Sequence, residues 1–125
     1  MWNFLIIALG GAIGSVLRYL FYFLPINTYF PFSTLIVNFI GSFFIGIIAA
    51  LSKDSTFLNN KWTLFLKVGF CGGFTTFSTF SLDTFYLIEK KYYFFSVVYL
   101  TMSFLLCIVG VFLGHLIVKL IIKYD

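Results

Sequence analysis

The chain has 125 residues, 62% of them hydrophobic and only 10% charged, with nineteen phenylalanines, eight tyrosines and a net charge of +4. Soluble domains are about half apolar and about a quarter charged, so this composition, with a mean hydropathy of +1.08, excludes an ordinary soluble enzyme and indicates a single-domain integral membrane protein. The basic residues sit at the ends of apolar runs, where they anchor helices, and this argues against a nucleic-acid partner.

Four apolar segments follow one another, each near the roughly 20 residues that cross a bilayer as a helix. The first runs from about residue 2 to 24 and stops at Pro25. Its one charge, Arg18, comes late, so the segment reads as a retained helix and not as a signal peptide. The second covers about 32–51, the third about 62–88, and the fourth about 93–122, long enough to tilt or to pass the membrane face. The expected fold is therefore an all-α membrane protein of four transmembrane helices. Gly10 and Gly14, Ser42 and Gly46, and Gly110 and Gly114 are each four apart, a spacing that lets helix backbones approach closely in lipid.

With four spans, the N-terminus, the 52–61 loop and the C-terminus share one side. Lys53, Lys61, Lys119 and Lys123 lie there, against Lys90 and Lys91 on the other. So small a bias fixes orientation weakly and permits insertion both ways round.

Polar groups inside the spans carry the functional reading, because they are expensive there. Arg18 and Lys67 are each either a snorkelling anchor or a positive charge at a pore mouth that concentrates anions, the anchor being the plainer reading for Lys67. The first, second and fourth spans hold no acidic residue, which disfavours proton-coupled export of cations. Asn38 offers two N–H donors and shares a helix face with Thr34, Gly41 and Ser42; alternatively it bonds a neighbouring helix. In the fourth segment Tyr99, Ser103 and Cys107 recur every four residues and form a stripe, read either as packing or as a track of donors for a dehydrating ion. Cys71 and Cys107 have no metal-ligand spacing and read as small apolar residues. His115, near the end of the last span, reads as an interfacial or packing residue.

The third segment contains GFCGGFTTFSTFSLDTF, in which Gly69, Gly72 and Gly73 are followed by Thr75, Thr76, Ser78, Thr79, Ser81 and Thr84. Each glycine costs a helix about 1 kcal/mol relative to Ala, and a break is expected near Gly72–Thr75. In a bilayer the backbone groups exposed by a break need partners: hydroxyls, or a cation for the carbonyls. Discontinuous helices are a recurring device for ion sites. Phe77 and Phe80, three apart, project on one face beyond the break. Their ring edges are positive and suit an anion without holding it too tightly; lipid-facing packing is the plainer reading.

The glycine pair followed by TTFSTF, together with GGAIGSVLRY, TLIVNFIGSFFIG and the Tyr99–Ser103–Cys107 spacing, resembles the Fluc (CrcB-like) fluoride channels over essentially the whole chain. The resemblance implies a passive, fluoride-selective channel of the bacterial inner membrane that relieves fluoride toxicity. It implies an antiparallel, dual-topology homodimer with two pores. Carried over to this chain, Phe77 and Phe80 are pore phenylalanines and Asn38 is the pore amide, with Thr34 nearby. Ser78 and Thr79 supply hydroxyls, Tyr99 and Ser103 belong to the polar track, and Arg18 and Asp83 lie toward a vestibule. The carbonyls of Gly72 and Thr75 bind a structural sodium ion, with no organic cofactor. Asp83 stands where the family usually has glutamate, and Cys107 where Ser or Thr is expected. Two other readings are weighed: a small dual-topology multidrug-type transporter, which needs a carboxylate that the first helix lacks, and a non-transporting subunit of a membrane complex, which leaves Asn38 and the hydroxyl-rich break without a use.

Overall fold

A computed structural model describes residues 1–26, 28–53 and 58–122; Lys123, counted above with the basic side, lies outside them. All the regular structure among these residues is helical. Helix α1 spans Trp2–Phe21 and α2 spans Phe32–Leu51. Helix α3 is a continuous run of three pieces, Asn60–Thr63, a wider π-helical stretch Leu64–Cys71, and Gly72–Phe74. Helix α4 spans Phe77–Glu89 and α5 spans Tyr93–Ile122. Helices α1, α2 and α5 are each long and apolar enough to cross a membrane; α5, at 30 residues, is about 45 Å long, well beyond a hydrocarbon core of about 30 Å.

The helix ends follow from local chemistry. Helix α1 stops at Phe21, short of the 24 expected, because Pro25 disfavours helical backbone at the residue before it. Asn59 caps α3 by accepting from the Trp62 N–H at 3.1 Å. Between α4 and α5 the chain reverses at Lys91, whose φ of 61° is left-handed. There the Lys91 N–H donates to Ile88 O at 2.9 Å and the Tyr92 N–H to Leu87 O at 2.8 Å, the paired bonds of a Schellman motif.

Two backbone seams hold the helices together. Helix α1 packs chiefly on α3, and α2 on α5. In the first seam, a Cβ added to Gly69 would lie 2.7 Å from Ile7 O, and one added to Gly10 would lie 2.9 Å from Phe70 N. In the second, a Cβ on Gly114 would lie 3.0 Å from Ile47 N. The four-residue glycine pairs of the sequence are thus backbone contacts, as small residues in membrane helices commonly are. A single chain leaves many large apolar side chains exposed along α1, α4 and α5.

The seam makes a sharp prediction. Gly69→Ala forces backbone apart and is expected to cost about 1–3 kcal/mol, whereas Gly11→Ala, whose Cβ would meet only Gly69 O at 3.8 Å, is expected to be tolerated. Thermal unfolding midpoints of the detergent-solubilised variants check this; equal midpoints would contradict it.

Candidate functional site

The third apolar segment is interrupted at two residues. Thr75 (φ −80°, ψ 159°) and Thr76 (φ −152°, ψ 115°) are both extended, so the helical run of α3 ends and α4 starts afresh. The break falls at the end of the expected Gly72–Thr75 window and one residue past it. Gly69 and Gly73 stay helical because they are pressed against α1.

Several backbone groups freed by the break acquire side-chain partners, and others lose their donors. Asn38 bonds Thr76 twice: its Nδ2 donates to Thr76 O at 3.0 Å, and its Oδ1 accepts from the Thr76 N–H at 2.8 Å. Thr76 Oγ1 caps α4 by accepting from the Thr79 N–H at 3.1 Å, and it lies within hydrogen-bonding distance of Thr79 Oγ1 (3.0 Å) and Ser78 Oγ (3.2 Å). In an unbroken helix the Thr76 N–H would serve Gly72 O and the Thr79 N–H would serve Thr75 O. Both donors are instead directed to side chains, and those two carbonyls lose their helical partners. Thr75 Oγ1 donates to Cys71 O at 2.9 Å. Ser81 and Thr84 likewise donate to carbonyls of their own helix, so with the Thr76 cap four of the six hydroxyls in this run serve local backbone.

Beside the break lies a cavity of about 270 Å³, with walls that include Asn38, Thr76, Phe77, Phe80, Ser103 and Cys107. Gly41 and Ser42 also line it; a Cβ at Gly41 would crowd Thr75 and Phe74. Phe80 is 6% exposed and Phe77 is 72% exposed, with ring centroids 5.4 Å apart. The Phe80 ring also contacts Tyr99 at 5.3 Å and meets Phe104 nearly perpendicularly at 6.0 Å. Ser103 Oγ is the buried side-chain oxygen left without a hydrogen-bond partner among the described residues. The second N–H of Asn38 makes no bond there either. The cavity is therefore largely apolar-walled, and two of the residues lining it, Asn38 and Ser103, keep donors without partners among the described residues.

A second cluster adjoins the first through the Phe80–Tyr99 contact. Thr34 Oγ1 donates to Asp83 Oδ2 at 2.6 Å and Tyr99 Oη donates to the same oxygen at 3.3 Å. Thr34 and Tyr99 are fully buried. Their hydroxyls are thus committed to the shortened acid and do not line the cavity.

The structure brings Asn38, Phe77, Phe80, Ser103 and Thr75 to one cavity, with Ser78 and Thr79 at the α4 cap beside it. Thr34, Tyr99 and Asp83 form the adjoining cluster. Arg18 is half-buried in the last turn of α1 and belongs to neither. Gly72 is exposed, with open space where a side chain would stand. Thr76, the hub of the break, is named among the hydroxyls of the run but is given no role of its own from sequence. Its signal was present: a threonine opening an apolar-periodic run is an N-cap pattern.

The clamp can be measured. Asn38→Leu removes both partners of the Thr76 peptide groups and is expected to cost about 2–5 kcal/mol, since a stranded buried group costs about 1–3 kcal/mol. Faster hydrogen exchange at the Thr76 amide with a lowered unfolding midpoint checks this, and unchanged exchange would contradict it.

The sequence compares closely with known membrane proteins. A family model described as "CrcB-like protein, Camphor Resistance (CrcB)" matches residues 5–115. The fluoride-specific ion channel FluC of Shewanella denitrificans is 44% identical over 118 residues, covering 92% of this chain and 94% of that one. The protein of the same name from Nitrobacter winogradskyi is 44% identical over 124 residues, covering 96% and 98%. That from Azobacteroides pseudotrichonymphae is 38% identical over 117 residues, covering 91% and 94%. With that coverage and three helices able to span a bilayer, the chain is a multi-pass integral membrane protein and belongs to the CrcB-like family.

Proposed function

We propose that this chain forms a passive, fluoride-selective channel of the bacterial inner membrane, draining fluoride that enters the cell as its neutral acid. One observation carries the reading: unused neutral donors, Ser103 Oγ and an Asn38 N–H, share a cavity with two phenylalanine rings. A cation would find few acceptors there. A small anion meets hydrogen-bond donors and positive ring edges, without a fixed charge that would trap it. The names of the relatives narrow the anion to fluoride.

In this mechanism Asn38 has two tasks. One side of its amide holds the broken backbone, and the remaining N–H replaces part of the ion's hydration. Phe80 is fixed by Tyr99 and Phe104, whereas Phe77 stands at the open edge. Ser103 receives the ion next, and Cys107, a weak donor, continues the wall. Ser78 and Thr79 supply hydroxyls near the cap. Thr34 and Tyr99 act through Asp83, keeping that carboxylate beside the cavity and out of it. Arg18 attracts anions toward the aqueous end of α1.

The working unit is an antiparallel, dual-topology homodimer of four-span chains with two pores. The exposed Phe77 and the open surface at Gly72 suit a covering second copy. The carbonyls of Gly72 and Thr75, deprived of helical donors, fit a sodium ion completed by the same carbonyls of the second copy. Bound there, sodium supplies the positive charge that those carbonyls require in a dry interface. The multidrug-transporter reading has no comparable support, because no carboxylate lines the cavity.

Ion efflux from liposomes containing the purified protein tests the function. Rapid fluoride efflux without chloride efflux is expected; proton-coupled uptake of organic cations instead would falsify it. Phe80→Ile is expected to reduce fluoride flux at least about tenfold, the loss of roughly 1.4 kcal/mol of ion stabilisation, with the dimer intact on gel filtration. Undiminished flux in that variant rules out the ring-edge contribution.

A further inference from the structure

Away from the break, the far end of the α2–α5 pair gathers basic side chains with no role in the pathway above. Helix α2 ends at Leu51, and the turn that follows brings Lys53 Nζ to 3.5 Å from His115 Nε2. Lys119 lies four residues beyond His115 on α5, hence on the same face. These three residues and Ala50 line a second cavity of about 230 Å³. No acidic side chain among the described residues lines it, and an approaching anion meets several donors there.

We propose that Lys53, His115 and Lys119 hold the phosphate of an anionic phospholipid. Charge complementarity identifies the headgroup, and the surroundings distinguish a lipid from a free anion. Leu116 and Leu120, each one residue along from His115 and Lys119, flank the basic face and are exposed, Leu120 to 70%. A ligand with a phosphate at one end and acyl chains at the other satisfies both surfaces. The level in the bilayer is right as well. Lys119 lies in the last turn of α5, Lys53 just past the end of α2, and the exposed Trp62 in the first turn of α3; tryptophan and basic residues at helix ends mark the headgroup region. Basic recesses between transmembrane helices are suited to anionic headgroups.

Native mass spectrometry of the full-length protein in neutral maltoside detergent, titrated with phosphatidylglycerol, phosphatidylcholine or inorganic phosphate, tests the site. Phosphatidylglycerol is expected to bind one per chain and in preference to phosphatidylcholine, and inorganic phosphate at equal concentration is expected not to displace it. The Lys53→Gln/Lys119→Gln variant is expected to bind phosphatidylglycerol roughly thirtyfold more weakly, and Lys119→Gln alone about fivefold more weakly. Lys119 is exposed on its helix, so the single change leaves packing alone, and fluoride efflux from both variants reports intact folding. Unaltered phosphatidylglycerol affinity in the variants overturns the site. Equal binding of phosphatidylcholine, or displacement by inorganic phosphate, overturns its assignment to an anionic lipid.

Discussion

The pair of hydrogen bonds between Asn38 and the Thr76 peptide groups is the constraint on which the rest of the site depends. A helix interrupted inside a membrane exposes donors and acceptors that lipid cannot satisfy. A side-chain amide is well suited to this position because it presents a donor and an acceptor together. With one N–H and one oxygen committed to Thr76, the amide is fixed in orientation and its remaining N–H has no partner among the described residues. The same two bonds start α4 in a fixed direction, which sets Phe77 and Phe80 on the cavity wall. Breaking a helix is costly, yet here the groups that compensate the break are also the groups that define the site.

The molecule divides its small residues between two kinds of work. Gly10, Gly14, Gly69 and Gly73 bring α1 against α3, while Gly46, Gly110 and Gly114 bring α2 against α5. In the first seam Ser15 Oγ donates to Gly73 O at 3.4 Å, so its hydroxyl serves the backbone contact. The hydroxyls and the amide gather where α2, α4 and α5 meet at the break. Asp83 belongs to this region too, but its carboxylate is bound by Thr34 and Tyr99. Those hydroxyls, counted from sequence as pore groups, share one oxygen of this acid.

Much of this was legible in the sequence. The apolar runs located α1, α2 and α5 within a few residues, and the four-residue glycine spacings marked the seams. The hydroxyl-rich stretch after Gly72-Gly73 announced a break, and Asn38 stood out as an amide in an apolar helix. What could not be read was the pairing of residues 38 and 76, because no local pattern specifies a contact across two helices. That pairing, and the packing of Gly73 on α1, move the break past the glycines that suggested it. Weak helix formers lower the cost of a break; tertiary partners decide where it occurs. The distribution of hydroxyls was hidden for the same reason, since a donor facing its own helix and one facing a cavity look alike in sequence.

The glycine seam between α1 and α3 has an electrical consequence. Backbones that meet this closely, with their peptide groups paired within the helices, leave no space for a file of water. That side of the broken helix is therefore insulated. On the proposed reading, the flank facing α2 and α5, where the cavity lies, is the side of the interruption left for an ion.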